Sequence, residues 1–197
     1  MKQLLLAGLL LAYAAMFVHP NPDQESVLKT EPIAIVNDVQ LQTSTPDMGA
    51  YGLGEDTSFQ EISLQESLKI FEESGSAILF YAKAEGQESR MAAPVLDEAA
   101  KKLGVSVYYI DCGKPYEQAD FDQLTQYISE TFASSKTGAK TFYLPNVVAV
   151  KNGEITDWHT ALVDGLILTG DEVSLPEDAH IKLLNAYIKT IQSAASK

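Results

Sequence analysis

The chain contains little of the chemistry on which most redox and metal proteins depend. Its 197 residues include one cysteine, Cys112, and three histidines. A single thiol can form neither an internal disulfide nor the dithiol pair of a disulfide oxidoreductase. The histidines, which are His19, His159 and His180, are far apart in the sequence, and no pair has the spacing of metal ligands. We therefore predict that the protein has no metal and no other cofactor.

Basic residues are also scarce. Fourteen lysines and arginines stand against 27 aspartates and glutamates, which gives a formal net charge of −13. The basic residues are dispersed, whereas a surface that binds nucleic acid needs them clustered. We therefore predict no nucleic-acid partner. An anionic membrane surface would also repel the chain, and we expect the acidic balance mainly to keep the protein soluble.

One long apolar run stands at the start of the chain. Residues 1–18 place a single lysine before an uninterrupted apolar or weakly polar stretch. This pattern is typical of a signal peptide, with Ala12-Tyr13-Ala14 as a cleavage site. The alternative is an uncleaved membrane anchor, although the run is shorter than the ~20 residues of a spanning helix. Both interpretations predict that the rest of the chain is extracytoplasmic, secreted or membrane-anchored, with membrane contact limited to this segment.

The region after the apolar run has a different composition. Residues 19–58 are rich in proline, glycine, aspartate and serine, and they contain one apolar run. Such composition is typical of a linker. We interpret residues 19–58 as a linker in which residues 33–41 could form one extra strand, and we place the folded domain at residues 59–197.

From Phe59 onward, the sequence predicts an alternation of strands and helices. Continuous apolar runs indicate strands, and apolar residues that recur at helical spacing indicate helices. The predicted strands cover residues 59–62, 77–81, 105–110, 147–150 and 155–160. The predicted helices lie between Ser63 and Ser74 and over residues 88–103, 116–133 and 176–194.

Local signals mark the ends of these elements. Two capping boxes, Ser63 with Glu66 and Ser174 with Glu177, predict the starts of the first and last helices. Asn152-Gly153 predicts a type I′ turn between the last two strands. The order β-α-β-α-β-α-β-β-α predicts an α/β fold in which helices cover both faces of a central mixed sheet.

Three groups of residues resemble the thioredoxin superfamily. They are Phe80-Tyr81-Ala82 at a strand end, residues 91–98 on the following helix, and Leu144-Pro145 before residues 151–154. The resemblance covers roughly residues 59–195 and implies a thioredoxin-like fold with a cis bond before Pro145. The leader, the short first strand and helix, and the longer helical insert also resemble exported Gram-positive proteins of the bacteriocin transport accessory or maturation type.

The CxxC motif of the superfamily is missing. Its second cysteine position falls on Ser89, and its first on Gly86, or on Glu85 if the loop has one extra residue. The buried aspartate of the family falls on Leu79 and the aromatic residue before the first cysteine on Ala84. Serine forms no mixed disulfide, so we expect no disulfide oxidoreductase activity. We interpret the loop as a vestigial active site, formed by Glu85, Gly86, Gln87, Glu88 and Ser89.

The groove beside Pro145 is the main candidate for a binding site. In the superfamily, this groove holds an extended peptide through the backbone next to the cis-proline, and such capture needs no thiol. The residues that the resemblance places there are Tyr81, Tyr143, Leu144, Pro145 and Asn146. The alternative is that the groove is an inert vestige.

The lone thiol offers a second candidate. Cys112 follows a predicted strand, and it is either a small residue in or beside the core or a reactive thiol. The first interpretation is favoured because Lys114 is the only basic residue nearby that could lower its pKa.

The leading hypothesis for function is a redox-inactive, thioredoxin-like protein outside the cytoplasm that binds a protein or an extended peptide. It would act as an accessory factor in export or envelope processes. The alternatives are a monothiol redox enzyme that uses Cys112 and a structural subunit of an envelope assembly.

Overall fold

Nine main strands and helices alternate along the chain in the predicted order. The computed structural model describes residues 25–134, 138–164, 166, 168, 170 and 174–195, so the predicted leader at 1–18 and the first part of the predicted linker lie outside the described residues. The helices are α1 (Leu64–Glu72), α2 (Gln87–Leu103), α3 (Gln118–Ile128) and α4 (Glu177–Ser193). The strands of the main sheet are β1 (Phe59–Glu61), β2 (Ala77–Ala82), β3 (Val107–Asp111), β6 (Asn146–Lys151) and β7 (Glu154–Thr160), and a small separate hairpin contains β4 (Ala133–Ser134) and β5 (Lys140–Thr141).

The five main strands form one mixed sheet in the order β1-β3-β2-β6-β7. Strands β1, β3 and β2 are parallel, and β6 pairs antiparallel with both β2 and β7. Helices α2 and α4 pack on one face, and α1 and α3 pack on the other. The predicted α/β class is therefore confirmed as a central mixed sheet flanked by helices, an arrangement compatible with the thioredoxin-like fold.

The continuous apolar runs become the central strands. Every residue of β2 is buried, and so is nearly all of β6. A strand with helices on both faces has no solvent side, so its sequence cannot alternate between apolar and polar residues. This double covering also buries Tyr81 on β2 and Asn146 on β6, although both carry polar groups.

The predicted start of the first helix is half confirmed. The Ser63 Oγ accepts a hydrogen bond from the backbone nitrogen of Glu66 at 3.0 Å. The Glu66 carboxylate does not complete the box, because it accepts from the backbone nitrogen of Gln42 at 3.0 Å and pairs with Lys69 at 2.6 Å. Together, these contacts lower the pKa of Glu66 against the raising effect of its desolvation.

Two other predicted helix ends differ from the structure, whereas the predicted hairpin turn is present. The capping box at the last helix is wrong, since Pro176 is the residue before α4 and no side chain caps the helix there. The third helix is shorter than predicted and continues as a 3-10 turn, Ser129–Thr131. The type I′ hairpin is confirmed by positive φ angles of 52° at Asn152 and 79° at Gly153. A Cβ at Gly153 would lie 2.8 Å from the carbonyl oxygen of Phe71, so glycine is required there.

The N-terminal segment packs along the domain. The predicted strand over 33–41 is wrong: these residues are extended coil, and the nearest sheet contact is an isolated bridge between Ser44 and Glu61. Backbone bonds from this segment go to helix ends instead, as in the 2.9 Å contact from the Ile33 nitrogen to the Leu103 oxygen. Met48 and Tyr51 are buried in the core on the α2 face. The described part of the predicted linker is therefore packed against the sheet and helices.

Within the described ranges, none of the helices combines the length and apolar character needed to cross a membrane.

Candidate functional site

An open groove of about 450 Å³ lies where the loop after β2 meets the segment before β6. These two segments are neighbours because Tyr81, near the end of β2, pairs with Asn146, at the start of the antiparallel β6. The Leu144-Pro145 bond at this edge is cis, as the resemblance implied. The groove is lined by Lys83, Gly86, Gln87, Glu88, Thr141, Phe142, Tyr143, Leu144 and Leu168.

Among the described residues, part of the main chain along the wall of the groove has no hydrogen-bond partner. The carbonyl oxygen of Pro145 accepts from the nitrogen of Ala161 at 2.8 Å, which joins it to the end of β7. The backbone groups of Tyr143 and Leu144 make no hydrogen bond with any other residue of the described ranges. The Tyr143 side chain is 47% exposed. This wall therefore offers both free backbone groups and an aromatic surface to a ligand.

Phe142 anchors this wall to the body of the protein. Its ring lies 5.6 Å from that of Tyr81, 5.8 Å from that of Phe121 and 5.4 Å from that of Phe132, measured between centroids. Such aromatic contacts fix the segment that carries Phe142. Tyr143 and Leu144 follow directly, so their exposed backbone is held in place on packed structure.

Three of the five predicted groove residues, Tyr81, Pro145 and Asn146, are buried and are not among the residues that line the groove. Tyr81 is fully buried, and its hydroxyl donates to the Ser67 Oγ at 3.4 Å. Burial raises the pKa of Tyr81. Asn146 is also fully buried; its Nδ2 donates to the Thr131 Oγ1 at 3.0 Å, and its Oδ1 has no partner. The side chains of Tyr81 and Asn146 are buried because β2 and β6 are covered on both faces.

The loop predicted as a vestigial active site forms the opposite wall and the start of α2. Gly86 is the N-cap of α2, and Ser89 lies three residues further on. Ser89 is fully buried, and its Oγ accepts from the backbone nitrogen of Lys83 at 3.5 Å. A buried hydroxyl that holds the loop backbone cannot act as an accessible nucleophile.

The three remaining loop residues have different environments. The Glu85 carboxylate lies next to Gly113, where an added Cβ would be 3.3 Å from its Oε2. Gln87 donates from Nε2 to the carbonyl oxygen of Gly170 at 2.9 Å, which ties α2 to the loop after β7. Glu88 is partly buried, its Oε2 is buried without a partner, and desolvation raises the pKa of its carboxyl.

The lone thiol lies in a different cleft. Cys112 borders a cavity of about 420 Å³ beside Glu61 and Lys114, and it does not line the groove. Its Sγ donates to the Ile110 oxygen at 3.7 Å. Burial and the nearby Asp111 charge raise the pKa of the Cys112 thiol to about 12. The thiol is therefore protonated near neutral pH, and Cys112 is not among the residues that line the groove.

In the part of the chain that the structure describes, no three histidine, cysteine, aspartate or glutamate side chains group closely enough to hold a metal. The Nε2 of His180 lies 2.9 Å from the Glu98 Oε2. The Nε2 of His159 lies 3.0 Å from the Leu162 oxygen, and burial lowers the pKa of His159.

Sequence reasoning missed four groove residues. Thr141 and Phe142 precede Pro145 closely, and Lys83 precedes the vestigial loop, so chain proximity could have indicated all three. Leu168 comes from the loop after β7, where no sequence pattern pointed to the groove. Its position follows from tertiary packing alone.

No protein-family model matches the chain, and no curated protein sequence matches it.

Proposed function

We propose that this protein is a redox-inactive, thioredoxin-like peptide-binding protein that captures an extended segment of a partner protein. The observation that carries the proposal is the unpaired backbone of Tyr143 and Leu144 in an open groove beside the cis bond to Pro145. An extended peptide can pair with such backbone as an added strand. The exposed ring of Tyr143 and the side chain of Leu168 offer apolar contacts for alternate residues of that peptide.

The thioredoxin-like assignment has several supports. The strand order, the helices on both faces and the cis bond before Pro145 all agree with the resemblance. Gly86 caps α2 and Ser89 lies one turn later, which is the spacing of the two missing cysteines. Leu79, at the position of the family's buried aspartate, is fully buried and apolar. The scaffold is therefore retained without a thiol pair or the buried proton acceptor.

Electron transfer is disfavoured as an activity of the groove. Disulfide exchange needs a thiolate attacker and access to the target disulfide. Cys112 lies outside the groove, and its raised pKa of about 12 leaves almost no thiolate near neutral pH. The monothiol alternative therefore has no observation in its favour, whereas the groove supports non-covalent capture.

The proposed location rests on the sequence of residues 1–18. A leader of this type places the groove outside the cytoplasm, where exported chains are still extended. A protein that binds extended segments in that compartment would act as an accessory factor in export or envelope processes.

Capture of peptides by the groove can be tested directly with a random heptapeptide library, acetylated and amidated at its ends. The full chain is immobilised and compared with Thr141→Trp, which fills the groove from an exposed strand position, and with Gln60→Trp, an exposed strand position outside it. Thr141→Trp is preferred to Gly86→Trp, because a Cβ on Gly86 would come 3.3 Å from the Lys83 oxygen.

We expect Thr141→Trp to reduce peptide capture about tenfold, a loss of ~1.4 kcal/mol, and Gln60→Trp to leave it unchanged. Thermal unfolding of both variants shows whether the fold is intact. Equal capture by wild type and a folded Thr141→Trp variant would contradict the proposal.

A further inference from the structure

An acidic residue whose side chain has no partner within the described ranges lines the groove. Glu88 lies in the first turn of α2, and its Oε2 is buried without a hydrogen bond. No ion pair or hydrogen bond joins the Glu88 side chain to another residue in the described ranges. The other carboxylate oxygen, Oε1, is not among the buried atoms that lack a partner. Burial raises the pKa of the Glu88 carboxyl, since desolvation disfavours its charged form.

The neighbouring charged groups do not neutralise Glu88. Arg90 donates from Nη1 to the Ala84 oxygen at 2.9 Å and is held by that contact. Lys83 lines the same groove but is exposed at its rim, and no ion pair links it to Glu88. Glu85 lies beside Gly113 and is not among the lining residues. Glu88 is thus the one acidic side chain among the described residues that line the groove.

We propose that the groove recognises an extended peptide that carries one basic residue, whose ammonium or guanidinium group pairs with the Glu88 carboxylate. This inference rests on the proposed function, since the backbone of Tyr143 and Leu144 would hold the same peptide. A charge pair in a partly desolvated groove is stronger than one in water. The net charge of −13 also attracts a basic segment over longer distances and speeds its encounter with the groove.

Lys83 further restricts which peptide sequences the groove is expected to bind. Lys83 lines the groove and is an exposed residue. A second basic residue in the bound segment would be repelled if it lay near Lys83. The groove therefore favours one basic residue flanked by neutral or acidic residues, and it disfavours a polybasic stretch.

The experiment uses the random heptapeptide library and the full chain. Bound peptides are sequenced for wild type, for Glu88→Gln and for Glu177→Gln, a matched control in the exposed first turn of α4 outside the groove. We expect wild type to enrich lysine or arginine at one position about tenfold, equivalent to ~1.4 kcal/mol. Glu88→Gln should lose this enrichment while still capturing neutral peptides, and Glu177→Gln should keep it.

A charge reversal strengthens the test. Glu88→Lys should select aspartate or glutamate at the position where wild type selects lysine or arginine. Capture that depends on the groove but shows no basic preference, or a preference that survives Glu88→Gln, would overturn this inference and leave the proposed function standing. Capture that is unaffected by Thr141→Trp would overturn both.

Discussion

The hydroxyl of Tyr51 lies 3.0 Å from the hydroxyl of Tyr109, and this hydrogen bond joins the N-terminal segment to strand β3. The two rings meet edge to face, with centroids 5.8 Å apart and planes at 80°. Both side chains are almost fully buried. A residue that precedes the first strand is therefore part of the core.

This contact predicts that residues before Phe59 contribute to stability. Tyr51→Ala should lower the free energy of unfolding by about 3–5 kcal/mol, as for other buried aromatic residues. Tyr51→Phe keeps the ring and removes the hydrogen bond, so it should cost about 1 kcal/mol. Urea unfolding of both variants measures the difference. If Tyr51→Ala cost no more than Tyr51→Phe, the segment would behave as an unpacked linker.

The buried thiol predicts slow alkylation of Cys112. Because its pKa is raised to about 12, the thiolate fraction stays small below that pH and rises steeply toward it. The rate of reaction with iodoacetamide, followed by mass spectrometry between pH 7 and pH 10, should still be rising at the upper limit. Free glutathione serves as the control thiol. A rate that levels off below pH 9 would revive the monothiol hypothesis.

The burial of Asn146 predicts a large penalty for Asn146→Asp. The Thr131 Oγ1 already donates to the Ile128 oxygen at 2.9 Å, so it can only accept from residue 146. An ionised aspartate has no proton to donate. We therefore expect Asn146→Asp to lower the free energy of unfolding by about 3–5 kcal/mol near pH 7. The pKa of the new carboxyl would be raised by burial, so the loss should shrink as the pH falls.

The matched variant at this position is Asn146→Leu. It removes the hydrogen bond to Thr131 and the unpartnered oxygen together, so it should be less destabilising than Asn146→Asp at neutral pH. Denaturant unfolding at two pH values compares the two changes. If Asn146→Asp were tolerated as well as Asn146→Leu, the side chain at this position would be accessible to solvent.

The raised pKa of Glu88 predicts a change in the pH dependence of stability. A carboxyl whose pKa is higher in the folded state than in the unfolded state lowers the free energy of unfolding once it is ionised. This destabilisation is absent below the unfolded pKa, ~4.3, and complete above the folded pKa. Glu88→Gln removes this destabilisation, although it also removes a charge that favours the start of a helix. Since burial outweighs other effects on the Glu88 pKa, the melting temperature of Glu88→Gln should exceed that of wild type at neutral pH.

This difference should disappear when both proteins are measured at acid pH, where the Glu88 carboxyl is neutral. Glu177→Gln, whose carboxylate is exposed, is the control for the loss of one acidic residue. A lower melting temperature for Glu88→Gln at neutral pH would show that the carboxylate has a stabilising partner.

Local signals in the sequence predicted the fold well. Asn152 and Gly153 form the predicted turn because both residues readily adopt positive φ angles. The apolar runs of β2 and β6 predicted strands that are buried on both faces. The position of Tyr51 could not be predicted in this way, because its partner Tyr109 is distant in sequence. The second predicted capping box, Ser174 with Glu177, does not form because Pro176 occupies the N-cap position of α4.

The candidate site was predicted only in outline. The chain position of Pro145 and the loop 85–89 identified the two walls, because the paired ends of β2 and β6 bring them together. The direction of the Tyr81 and Asn146 side chains was not predictable, because the sequence of a doubly covered strand does not distinguish its faces. Leu168 was not predictable either, since its loop carries no pattern that relates it to the groove.

The most direct test of peptide capture is hydrogen exchange at the Leu144 amide. This amide makes no hydrogen bond within the described ranges, so it should exchange rapidly in the free protein. NMR-detected exchange is measured on the full chain with and without a heptapeptide selected from the library. The account predicts that the bound peptide slows exchange at Leu144 by about tenfold or more, because the amide gains a hydrogen bond. Saturating peptide that leaves Leu144 unprotected, while protecting amides on another surface, would contradict the account.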